Sequence, residues 1–188
     1  MNFLAHSYLS PSIPLVRLGN TFGDFIKGKA MLGVHPDVVK GVLLHREIDA
    51  FTDNHPITQE CKKIFINQLG LFSGIVVDMV YDHFLAKNWS KYSSIELKDY
   101  AKELFNDFDN QHNNLPEKVC EVVPIMKAQN WILAYETLNG LEKILKQMSQ
   151  RISNKKDLTV GIPLLIVHEK LIESMFFEFF ESAKTRFC

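Results

Sequence analysis

The chain has 188 residues, of which 46% are hydrophobic, 23% charged and 11% aromatic, and its 21 Lys and Arg against 22 Asp and Glu leave a formal charge of −1. The near-balance excludes a dedicated nucleic-acid binder, which carries a strongly basic patch or domain, and the apolar content excludes a disordered chain. The length suits one core, so residues 1–188 are expected to form a single domain.

Taken in chain order, the residues predict helices almost throughout, because period-two alternation is absent over more than a few positions. Met1-Asn2-Phe3-Leu4-Ala5-His6 lacks the basic region and long apolar run of a signal peptide. A first helix is expected over about 13–29, where Asn20 and Asp24 stand four apart. The next, at about 36–52, begins on Pro36 and carries Val38, Val42, His45, Asp49 and Thr52 along one stripe, with Arg46 and Asp53 beside it. Helices at about 57–69, with Gly70 as its cap, and about 72–87 follow. The latter is apolar nearly all round and should lie deep, yet it carries Asp78, Asp82 and His83. Ser93 and Glu96 form a capping-box pattern before Leu97, Ala101, Leu104, Phe105 and Phe108 on one face. Helices at about 116–127, 130–152 and 162–184 complete the set, with 153–157 as the most loop-like stretch. Phe176, Phe177, Phe179 and Phe180 of the last are read as core. The expectation is an all-α helical bundle of about seven or eight helices.

Apolar runs stay far short of the ~20 residues that span a bilayer, so no membrane partner is expected. Cys61, Cys120 and Cys188 form no CxxC pair and are read as reduced thiols. Together these predict a cytoplasmic protein.

Charges on otherwise apolar helices mark the place to look for chemistry. Asp78 and Asp82 share a face, and two stacked carboxylates in a core need a cation, either an arginine or a metal. Asp78 has Arg17 and Arg46 as candidate ion-pair partners. His45 and Asp49, at i and i+4, reach one point, as metal ligands, as a ligand with its supporting carboxylate, or as a buried hydrogen-bonded pair without metal. Neither a phosphate-binding glycine loop nor a GxSxG or HExxH motif is present. A carboxylate-rich set with one or two imidazoles favours Mn²⁺, Mg²⁺ or Fe²⁺ over structural zinc.

The opening MNFLAH, Gly19-Asn20…Asp24-Phe25…Gly28, Asp37-Val38-Val39…Gly41…His45-Arg46…Ile48-Asp49…Thr52-Asp53-Asn54…Pro56, then Asp78, Asp82-His83-Phe84-Leu85 and Trp89, resemble the acyl carrier protein phosphodiesterase family; Met148-Ser149…Arg151 matches more faintly. That family is similar to the helical, metal-dependent HD phosphohydrolases, but this chain has Asp82-His83 where they have His-Asp. The resemblance implies hydrolysis of the phosphodiester joining 4′-phosphopantetheine to a serine of holo-acyl carrier protein, with Mn²⁺ as the metal. The family's ligand assignment does not carry over to this order of residues, so on their own chemistry the metal is placed on Asp24, His45, Asp49 and Asp82, with Arg46 on the phosphoryl charge and His83, or His6 as second choice, as proton donor. Asn20, Lys27, Asp53 and Asp78 become candidate substrate contacts. An acidic carrier protein would meet Lys27, Lys29, Lys40, Lys62, Lys63, Lys87 and Lys91. A phosphohydrolase acting on a nucleotide or other small phosphoester, and a non-catalytic helical binding protein, are the competing readings. The oligomeric state is open.

Overall fold

The computed structural model describes residues 1–152 and 156–188, and among these it is helical and has no strand. Part of the stretch read as loop, 153–155, lies outside the described residues. The α-helices are α1 (Phe3–Tyr8), α2 (Pro14–Thr21), α3 (Pro36–Asn54), α4 (Pro56–Leu69), α5 (Ser73–Lys87), α6 (Leu97–Gln111), α7 (Glu117–Ala128), α8 (Trp131–Ala134), α9 (Leu138–Arg151), α10 (Gly161–Val167) and α11 (Glu169–Phe187). The all-α expectation holds, with more breaks than the periodicity suggests.

Each break has a local cause. The helix expected over about 13–29 stops at Thr21 and gives way to 3-10 turns at Gly23–Phe25 and Gly28–Met31. Left-handed Asn130 opens α8, and Thr137 then caps α9 by accepting from the Gly140 amide at 3.1 Å. His168 divides α10 from α11. The capping box does not form: Ser93 Oγ accepts from the Ile95 amide, and the Glu96 carboxylate pairs with Lys98 at 2.7 Å.

Buried side chains from Met1 to Ala183 make one continuous hydrophobic cluster. Its axis is α5, buried on all sides from Val76 to Ala86 apart from half-buried Asp78. An 18-residue window within Pro56–Lys87 has a mean hydropathy of 1.5. That stretch is nonetheless two helices divided at Gly70, one of them enclosed by the core. From α11, Phe176, Phe179 and Phe180 are fully buried, while Phe177 is half-buried beneath the Lys91 ammonium.

The crossing of α2 and α3 positions the functional residues. A Cβ on Gly19 would sit 2.3 Å from the Val38 carbonyl oxygen, and one on Gly41 would sit 2.2 Å from that of Val16. Backbones can approach this closely only where both contact residues lack a side chain. His45, one turn beyond Gly41, is thereby laid against Asn20.

Candidate functional site

Two imidazoles and a carboxylate converge where α1, α2 and α3 meet. His6 from α1 and His45 from α3 stack with ring centroids 4.0 Å apart. The ligand atoms of His6, His45 and Asp49 all lie within 4.8 Å of one another. His6 Nε2 is 3.1 Å from Asp49 Oδ1, and His45 Nε2 is 3.2 Å from Asp49 Oδ2 and 3.8 Å from Asp24 Oδ1. The imidazoles are almost wholly buried, whereas the side chains of Asp49 and Asp24 are 42% and 58% exposed. The group therefore has a closed floor of nitrogen and an open mouth of oxygen.

Asn20 sets which nitrogens face the mouth. Its Nδ2 donates to the His6 carbonyl and to Ser10 Oγ, both at 2.8 Å, which fixes the amide's orientation. Its Oδ1 must then accept from His6 Nδ1–H, at 2.9 Å, and its main-chain oxygen accepts from His45 Nδ1–H at 2.7 Å. With both Nδ1 atoms protonated, a neutral ring turns a bare Nε2 lone pair toward Asp49. His45 Nε2 is buried and has no hydrogen-bond partner among the described residues. Lone pairs facing a carboxylate repel one another unless a cation lies between them. A proton or a divalent metal satisfies that need, and two imidazoles with carboxylates form a donor set suited to the latter.

Without a metal, the electrostatics put the required positive charge on His45 as a proton. Burial pushes the His6 pKa down to about 4, leaving that ring a neutral donor of its lone pair. Burial alone would also depress His45, but the neighbouring Asp24 and Asp49 carboxylates outweigh it and push His45 up to about 9. Asp24 is held well below the usual carboxylate range by the His45 imidazole beside it, with Lys27 adding to the effect. Burial opposes ionisation of Asp49, yet the His45 and His6 rings beside it hold it well below the usual carboxylate range. Gly23 packs over this floor: a Cβ there would fall 2.6 Å from His45 Cγ.

Other expected site residues lie elsewhere or act differently. Asp82 does not join the group. Its Oδ1 accepts from the Asn2 and Ala5 amides at 3.1 and 3.3 Å, and its Oδ2 from the Leu4 amide at 2.8 Å, so both oxygens cap α1. His83 is 2% exposed and donates Nδ1–H to the Tyr135 carbonyl at 2.6 Å, away from the mouth, and burial lowers its pKa. Asn20 is fully buried, so it positions histidines and is screened from substrate. Asp78 pairs with the Met1 amino group at 2.6 Å rather than with an arginine. Arg17 instead binds Asp107, a partner hidden from sequence reasoning because 90 positions separate the two residues. Arg46 is exposed, its Nη2 lying 3.1 Å from Met31 Sδ. Exposed Lys27 reaches Asp24 at 2.8 Å, and exposed Asp53 pairs with Lys62 at 2.8 Å.

The chain matches the family described as acyl carrier protein phosphodiesterase over residues 1–183. It is 29% identical over 181 residues to the acyl carrier protein phosphodiesterase of Photorhabdus laumondii, covering 96% of this chain and 91% of that one. The proteins of that name from Escherichia coli O6:H1 and Enterobacter sp. strain 638 are 28% and 27% identical, each match covering 96% of this chain and 94% of the relative. No solved structure matches it. With a family match that runs from the first residue almost to the last, the chain belongs to the acyl carrier protein phosphodiesterase family.

Proposed function

We propose that this protein hydrolyses the phosphodiester that joins 4′-phosphopantetheine to a serine of holo-acyl carrier protein, releasing the apo carrier. Support comes from the family's name, from the relatives of that name, and above all from one observation. The Nε2 atoms of two Nδ1-anchored histidines meet Asp49 where the repulsion of lone pairs and carboxylate calls for a cation. His6, His45 and Asp49 would hold a divalent ion, Mn²⁺ first and Mg²⁺ or Fe²⁺ next, with Asp24 at its edge. When bound, such an ion supplies Lewis-acid charge at the phosphoryl oxygens and lowers the pKa of water.

The chain's own side chains do the remaining work. Lys27 and Arg46 offer positive charge at the open mouth, where a phosphodiester monoanion would arrive. Arg46 stands one turn before Asp49 on α3, so its planar fork lies on the neighbouring surface. Asn20 keeps both rings oriented through the encounter. Incubating the protein with holo-acyl carrier protein and Mn²⁺, then weighing the carrier by mass spectrometry, tests the reading. Loss of the arm's mass, abolished by EDTA and by His45→Ala, is expected. An unchanged carrier would overturn it.

A further inference from the structure

Beside the His–Asp group lies a cleft of about 310 Å³ that shares Asp24 and Lys27 with the site's mouth. It runs between α1, α5 and the end of α9. Its walls are mainly Phe3, Phe25, Ile75, Met79 and Met148, the two phenylalanine rings stacking 6.1 Å apart. Asn2 and Asp78 contribute polar atoms along one side. Arg151 borders the cleft too, its guanidinium carbon 5.1 Å from the centroid of the Trp131 ring. Met148 and Arg151 stand three apart on α9 and so project together. Nothing in the hydrolytic group makes use of these two residues.

The cleft's chemistry selects among ligands. Sites for small molecules have volumes of roughly 300–1,000 Å³ and are mostly apolar with a few placed polar groups, so this one takes a slender ligand. Methionine walls adapt to a flexible chain. Cationic side chains, Lys27 and Arg151, border it, so its ligand carries a phosphate or hydrogen-bond acceptors. Resting on the function proposed above, we infer that this cleft is the subsite for the pantetheine arm. The phosphate lies at the Asp24 and Lys27 end, the dimethyl and methylene groups against Phe3, Phe25 and Met148, and Arg151 donates to an amide carbonyl. Arg151 is then a specificity-determining residue, held in place by stacking on Trp131.

Two measurements test this: KM and kcat with holo-acyl carrier protein, and calorimetric binding of free 4′-phosphopantetheine to the Mn²⁺-loaded protein. Met148→Trp, which fills the cleft from a half-buried position, should weaken binding of the free arm at least roughly ten-fold. Arg151→Gln should raise KM by a similar factor with kcat nearly unchanged, the mark of uniform binding. Mn²⁺ affinity should stay at the wild-type value in both, which excludes general damage to the fold. Wild-type KM and arm binding in both variants would overturn the cleft assignment while leaving the proposed reaction intact. Conversely, a wild-type protein that spares the holo carrier yet binds free 4′-phosphopantetheine, with loss in Met148→Trp, sinks the reaction and supports the cleft. No binding of the free arm by wild type overturns the cleft assignment whatever the carrier assay shows.

Discussion

At the scale of single residues, the site depends on groups that never touch solvent. Asn20 serves His6 through its side chain and His45 through its main chain. Asn20→Ala keeps the main-chain contact to His45 but removes the side-chain bonds to His6 and Ser10, and the unpaired Nδ1–H of His6 alone costs about 1–3 kcal/mol of stability. Freed to rotate or change tautomer, His6 should also bind metal roughly 10–100-fold more weakly. Calorimetric titration with Mn²⁺ reads that loss, and Ser10→Ala serves as a milder control. Asp82 makes the contrasting case. Asp82→Ala strips acceptors from the amides of Asn2, Leu4 and Ala5 at the start of α1 and should cost about 2–5 kcal/mol in urea unfolding. Asp82→Asn keeps one acceptor oxygen, so it should cost less and leave Mn²⁺ affinity within a few-fold. Abolished metal binding in a folded Asp82→Asn protein would restore Asp82 as a ligand.

At the scale of elements, the crossing of α2 and α3 is the device that assembles the floor. Gly41→Ala places a methyl 2.2 Å from the Val16 carbonyl oxygen and 2.7 Å from the Asn20 nitrogen, so the helices must separate. Such overpacking costs about 1–3 kcal/mol, and because Asn20 moves with α2 the variant should lose Mn²⁺ affinity as well as thermal stability. Substitution at exposed Gly33 costs stability through its left-handed φ of +73°, but an added methyl there would meet nothing within 4 Å and should leave Mn²⁺ affinity unchanged. Elements also explain what the sequence could reveal. The i, i+4 spacing of His45 and Asp49 is a property of one helix, so it is readable, as is the all-round burial of α5. Asp82 looks like a ligand because a carboxylate on an apolar helix demands partners; that these are main-chain amides 77 to 80 positions away leaves no mark in local pattern. The His6–Asp49 contact spans 43 positions and is equally hidden. Helix α1 has six residues, too few for a periodic signal.

Across the whole molecule, the near-neutral charge conceals pairing. Of the lysines expected to meet an acidic partner, Lys27, Lys40, Lys62, Lys63 and Lys87 each hold a carboxylate within 2.8 Å. Exposed pairs of this kind contribute only about 0–1 kcal/mol to folding, so they are free to exchange for a partner's carboxylates. Raising salt should therefore increase KM for the carrier protein steeply, with a much smaller effect on kcat; equal loss of both would argue against electrostatic docking. The capping of α1 has a consequence for how the protein comes into being on the ribosome. A six-residue helix has no stability of its own, and the carboxylate that receives its amides lies 78 positions beyond Leu4. His6 is thus made before α5 but is not set in place until α5 has emerged. A nascent chain that already contains His45 and Asp49 still lacks a fixed His6 to complete the group. Any metal held by this group would therefore be captured only once the core that encloses it has formed.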